Sequence, residues 1–312
     1  MKRYEAILAI VPAQAVLTPA IKRAVELAGA SGATLHLCIF EYDSAVDFAA
    51  ARAGSDVADH VRHDIVRDRE ESLQRLAASL AGKGHAVECD VVWAPDQAKA
   101  VLAKALEINA QAVLKDAHHE STLRRAVYTP LDWKLMRLLP CELMLVGPAS
   151  HPLPKRVAAA VDVLAEPVDA DGLNKRILAV ALQLSEYLGA RLDLVSVFPH
   201  FPTLHHRAWP GSEAMYAEAN TEHYEAFRKF AEAHSIPQDR RHRLKGLPTV
   251  ELGSFVSDNG IDVLVMGTQY RSRWERLLLG STAESLAQEV NADLVLVKPP
   301  GFADTLRGGI TL

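Results

Sequence analysis

Two short segments, 141–146 (Cys-Glu-Leu-Met-Leu-Val) and 292–297 (Ala-Asp-Leu-Val-Leu-Val), stand 151 positions apart, 292 against 141. The chain ahead of each carries the same succession of patterns. A repeat this long constrains the fold more than any local propensity, because both copies must bury a core in the same way. In the first copy an apolar run at 4–11 precedes helical spacing over 19–30 and a second apolar run at 34–40; in the second copy the matching segments are 156–161, 174–188 and 191–198. A long amphipathic helix follows in each, at 59–81 and at 212–233. Short strands stopped by prolines come next, at 87–95 and 241–248, then helices at 97–108 and 249–259 leading into the apolar runs 112–114 and 261–266.

Strands that alternate with helices and read as nearly continuous apolar runs predict a parallel sheet covered on both faces. The expected fold class is therefore α/β. Two doubly wound, five-stranded, Rossmann-like domains are expected, at 1–147 and 155–300, related by a pseudo-two-fold axis as in an internal dimer, with a short tail at 301–312. Gly147, Pro148, Pro152 and Pro154 mark the linker between them.

The chain has 312 residues, 49% hydrophobic and 23% charged, which excludes a disordered or low-complexity chain. A net charge of −5 with no concentrated Lys/Arg stripe argues against nucleic acid as a partner. No apolar run approaches a membrane span and no leader pattern opens the sequence, so the expected location is the cytoplasm. Cys38, Cys89 and Cys141 are odd in number and lie in or beside apolar stretches, which predicts buried, inert thiols rather than disulfides or a metal site. The histidines, among them His118, His119, His200, His205, His206 and His223, read as solvated loop residues, and no metal is expected.

Chemistry in a doubly wound sheet belongs at the carboxyl ends of the strands. In the second half, the run 262–266 passes into Gly267, and Gly280 then precedes Ser281 and Thr282 at a predicted helix start. Gly280-Ser281-Thr282 would let a phosphate approach free N–H groups at the positive end of a helix dipole. Gly267 would let the chain leave the strand without a side chain blocking a ligand. Ser281 with Glu284 is equally a capping box, expected whether or not anything binds.

The two-domain layout, together with the segment 267–284 ahead of the last strand, resembles the universal stress proteins, of the adenine nucleotide alpha hydrolase-like kind. Their nucleotide-binding members carry Gly, two residues, Gly, nine residues, Gly and then Ser or Thr. Gly267, Gly280 and Ser281 match that pattern, while Tyr270 stands at the middle glycine. The resemblance implies that Asp162, after the first strand of the second half, meets the adenosine, and that Ser196 and Val197 line the adenine pocket. A phenol at Tyr270 projects where the family keeps the backbone bare, or else stacks on or hydrogen-bonds to the ligand. Arg271, Arg273 and Arg276 could offset phosphate charge.

In the first half the corresponding positions hold Asp116, His119 and Thr129-Pro130, and no aspartate follows Val11-Pro12. Anion binding there is expected to be poor, since Pro130 lacks an N–H donor and Asp116 repels phosphate. Residues 129–133 with 143–146 resemble the first domain of the tandem, E-type members. The resemblance implies one adenine-nucleotide site, for ATP, ADP or AMP, in the second domain, acting by regulatory binding. A scaffold or a binder of an apolar small molecule is the alternative. Slow ATP hydrolysis is a third reading, although no residue is nominated as its base.

Overall fold

Aliphatic residues in the first half line up as parallel strands because their side chains are buried on both faces, leaving helices to cover them. The computed structural model describes residues 3–53, 55–81, 85–119, 126–127, 130–147, 150–151, 153–164, 170–199, 212–268 and 292–303. They fall into two compact units. The first contains β1 (Ala6–Ile10), α1 (Pro19–Ser31), β2 (Thr34–Glu41), α2 (Ser44–Ala53), α3 (Ser55–Leu80), β3 (Val87–Trp93), α4 (Gln97–Glu107), β4 (Ala112–Asp116), α5 (Pro130–Leu138) and β5 (Glu142–Val146). Its strands are ordered β3-β2-β1-β4-β5, all pairs parallel. All five residues of the central strand β1 are buried.

The second unit repeats the arrangement with β6 (Arg156–Ala160), α6 (Ala170–Leu188), β7 (Arg191–Pro199), α7 (Ser212–Ala233), β8 (Arg241–Gly246), α8 (Pro248–Asn259), β9 (Val263–Gly267) and β10 (Asp293–Val297). The order is β8-β7-β6-β9-β10, again parallel throughout.

Local chemistry sets the helix ends. Thr18 caps α1, its hydroxyl accepting from the Ile21 N–H, with Pro19 at the first helical position and Gly32 closing the helix at φ 74°. The helix expected at 59–81 begins earlier, at Ser55, and a separate helix α2 precedes it. Sequence periodicity misses α2 because its Ala-rich stretch is held by propensity and by the Asp43 carboxylate accepting from the Ala45 N–H at 2.8 Å, not by an apolar stripe.

The cysteines correct a second expectation. Cys38 is buried on β2, where desolvation pushes its thiol up to about 12, but Cys89 is exposed and Cys141 half-buried. Cys89 lies on β3, an edge strand of its unit, where Glu88, Cys89 and Asp90 are all exposed.

A buried ion pair joins β4 to α5. Lys115 Nζ lies 2.8 Å from Asp132 Oδ1, the two side chains 7% and 0% exposed, and also donates to the Asp116 carbonyl at 3.0 Å. Removing one member of such a pair leaves a desolvated charge, whereas replacing both with apolar residues of similar size does not. Lys115→Met is therefore expected to cost about 3–5 kcal/mol in urea unfolding, and Lys115→Met combined with Asp132→Leu to recover most of that loss. An equal loss in the single and double variants would show that packing, not charge, governs this contact.

Candidate functional site

In each unit the chain crosses away from the central strand in opposite directions, which opens a crevice at the carboxyl ends of the central strand and its β4-type neighbour. In the second unit these strands are β6 and β9. Their register pairs Ala160 with Met266, so Asp162 and Thr268 each follow two residues beyond the last matched pair.

Asp162 is held through its backbone. Its N–H donates to Asn174 Oδ1 at 3.1 Å, and its carbonyl accepts from Asn174 Nδ2 at 2.7 Å. Asn174 is itself buried on α6, so the helix fixes where the strand ends. The Asp162 side chain is exposed; Oδ1 accepts from the Leu164 N–H at 3.2 Å, leaving Oδ2 without a protein partner among the described residues.

Gly267 closes β9. A Cβ there would lie 2.8 Å from Leu173 Cδ2 and 3.0 Å from Ile177 Cδ1, so the missing side chain is what lets α6 pack against the strand end. That requirement exists with or without a ligand. Thr268, which sequence reasoning passed over, is only 3% exposed and has a hydroxyl with no hydrogen-bond partner among the described residues. Its N–H donates to the Val297 carbonyl at 3.0 Å, holding the residue in line with β10. Nothing in its residue type sets it apart; only its place after Gly267 could have drawn attention to it. Tyr270, Arg271, Arg273, Arg276, Gly280, Ser281, Thr282 and Glu284 lie outside the described residues.

Strand alternation separates the other two expected pocket residues. Ser196 points at α7, its Oγ 3.1 Å from His223 Nε2, and Val197 therefore occupies the opposite face of β7. His223 is no loop histidine. It sits on α7 at 1% exposure, and its Nδ1 accepts from Arg243 Nε at 2.9 Å, which assigns the ring proton to Nε2 facing Ser196. Burial, then the Arg243 charge, lowers its pKa to about 4. His223 is thus a neutral donor to Ser196, not a base that could activate it. Its signal was periodicity: it falls on the inner face of a helix already expected at 212–233. His200, His205 and His206 lie outside the described residues.

The first unit closes its crevice with its own anion. Asp116, at the position of Gly267, accepts through Oδ1 from the Ala20 N–H at 2.9 Å. Pro19 has no N–H, so Ala20 carries the first free donor of α1, and the carboxylate lies at the positive end of that helix.

Fold and crevice together are those of a duplicated, doubly wound α/β protein, and the profile of the universal stress protein family matches residues 3–147 and 164–298. The chain belongs to that family, in its tandem two-domain form. It is similar to universal stress protein E of Escherichia coli, with 24% identity over 305 residues covering 97% of this chain and 96% of that one. A universal stress protein E homolog of Haemophilus influenzae is 22% identical over 268 residues, 83% and 84% of the two chains. Among solved structures, a functionally unknown protein from Pseudomonas aeruginosa shares the fold at TM-score 0.72 and 23% identity, covering 98% of this chain and 96% of that one. A universal stress protein from Archaeoglobus fulgidus does so at TM-score 0.65 and 14% identity, covering 93% and 98%. The second profile match begins beyond Asp162, so the case for that residue rests on its geometry.

His223 has a consequence for stability. Its folded pKa is below the ordinary value of 6.5, so between pH 6.5 and about 4 the unfolded chain binds a proton that the folded chain refuses. Stability in that window falls as pH falls, by about 3 kcal/mol at most from this group. His36, lowered chiefly by its own burial, acts in the same direction. Unfolding titrations between pH 7 and 4 should show a shallower loss for His223→Leu than for the unsubstituted chain, though the variant starts from a lower stability; parallel slopes would refute the assignment.

Proposed function

We propose that the second unit binds an adenine nucleotide, ATP, ADP or AMP, at the carboxyl ends of β6 and β9, and that the protein works in the cytoplasm by regulatory binding. The observation that carries this reading is the pair at the strand ends: the exposed Asp162 carboxylate on a pinned backbone, and the buried Thr268 hydroxyl, without a partner among the described residues. An unsatisfied buried hydroxyl costs about 1–3 kcal/mol, which a polar ligand atom would recover. A carboxylate with a free oxygen suits the paired hydroxyls of a ribose, as the family resemblance implies for this position.

In this reading the phosphates lie toward Gly267, Gly280, Ser281 and Thr282, with Arg271 offsetting their charge and Tyr270 stacking on or hydrogen-bonding to the ligand. Val197 approaches the base from β7. The contrast with the first unit supports a single site, since Asp116 there sets a carboxylate at the end of β4 that repels phosphate, and Pro130, at the position of Ser281, lacks an N–H donor. The sequence nominates no residue as a base for ATP hydrolysis, which favours binding over turnover.

Isothermal titration of the full chain with ATP tests the reading. Saturable binding is expected, weakened at least about tenfold by Asp162→Ala, a loss of about 1.4 kcal/mol, and several-fold by Thr268→Val. Gly280→Asp should abolish it and Asp116→Gly should leave it unchanged. Absence of binding at millimolar ATP, or binding indifferent to Asp162→Ala, would sink the proposal.

A further inference from the structure

Arg243 on β8 is a cation held rigidly without a carboxylate among the described residues. Its Nε donates to His223 Nδ1 at 2.9 Å, and its Nη2 donates to the Asn220 carbonyl at 2.9 Å and to Asn220 Oδ1 at 2.6 Å. Both contacts lie on α7. The Phe198 and Tyr224 rings stand 5.5 and 5.9 Å from its guanidinium carbon. Among the described residues Arg243 makes no ion pair, and its Nη1 makes no hydrogen bond; the Tyr224 phenol, 51% exposed, likewise has no hydrogen-bond partner. Burial disfavours the charged guanidinium here, and the groups that bear on it are the phenols of Tyr216 and Tyr224.

Three of the five N–H donors are therefore spent on orienting the group, and the two on Nη1 remain available. A planar fork fixed in this way, with aromatic rings beside it, loses little conformational freedom on meeting an oxygen anion. A purely architectural arginine joining β8 to α7 would be expected to gain a carboxylate partner; α7 carries Glu213, Glu218, Glu222, Glu225 and Glu232, yet none pairs with it.

We propose that Arg243 anchors a second ligand site on the α7–β8 face, one that takes the oxyanion of a small molecule, a phosphate ester or a carboxylate, with the Tyr224 phenol beside it. Neutral His223 is a positioning residue: its Nδ1 lone pair holds Nε, while Asn220 holds Nη2, and the Nη1 donors are left over. The site is independent of the nucleotide reading, since β7 separates β8 from β6, a lateral distance of about 10 Å.

The test uses the full chain and two probes, inorganic phosphate and acetate, titrated at constant ionic strength and neutral pH. The readout is the arginine side-chain Nε–Hε resonance that disappears in Arg243→Lys. A saturable shift of that resonance with either probe, in the millimolar range expected of one charge-assisted contact, supports the site, and the probe that binds more tightly names the class. Tyr224→Phe, a change at a half-exposed position that leaves the core intact, should weaken binding several-fold. No saturable shift with either anion, or an equal response to chloride, would overturn the proposal. Asp162→Ala is expected to weaken ATP binding without moving this resonance, so the two readings fail separately.

Discussion

Parallel pairing of a central strand with neighbours on both sides is the constraint from which the rest follows. In the first unit Ile7 matches Leu35 on one side and Ala112 on the other; in the second Val157 matches Leu192 and Val263. Because parallel strands need long crossovers of fixed hand, the chain must cover one face while moving outward and the other after it returns. A crevice at the carboxyl ends of the central pair is the geometric remainder of that path. Burial of the central strands, Ile7, Leu8, Val157 and Ala158 all at 0% exposure, holds the sheet together and leaves the crevice free to vary.

The two units use that freedom differently. At the end of β4 a carboxylate, Asp116, satisfies the first N–H of α1, and a buried ammonium, Lys115, is balanced by Asp132. At the end of β9 the same two positions hold the uncharged Met266 and Gly267, with a helix pressed against the glycine, and Thr268 follows with a hydroxyl that has no partner among the described residues. One crevice is internally compensated and the other is not. The difference resides in a few side chains at strand ends and involves no change in strand order.

Much of this was legible in the sequence. The 151-residue repeat, with its alternation of apolar runs and amphipathic helices, implied two five-stranded parallel sheets, and the family pattern drew attention to Asp162 and Gly267. Other features were hidden for physical reasons. Helix α2 has no apolar stripe to betray it, and Cys89 looked buried because a strand's apolar neighbours do not reveal that the strand lies at an edge. Ser196 and Val197 looked like one pocket wall, although adjacent residues of a strand face opposite ways.

What the sequence determined by itself was periodic: which segments are strands or helices, their order, and that the order occurs twice, because burial of an apolar face repeats along the chain at the spacing of the element. Tertiary structure alone decided which polar groups are compensated. Asp116 meets Ala20 across 96 positions, Asn174 grips Asp162 from a helix, and His223 with Arg243 spans α7 and β8. Such pairings depend on where distant elements pack, and hydrogen bonds and charges act over a few ångströms of space with no regard for distance along the chain.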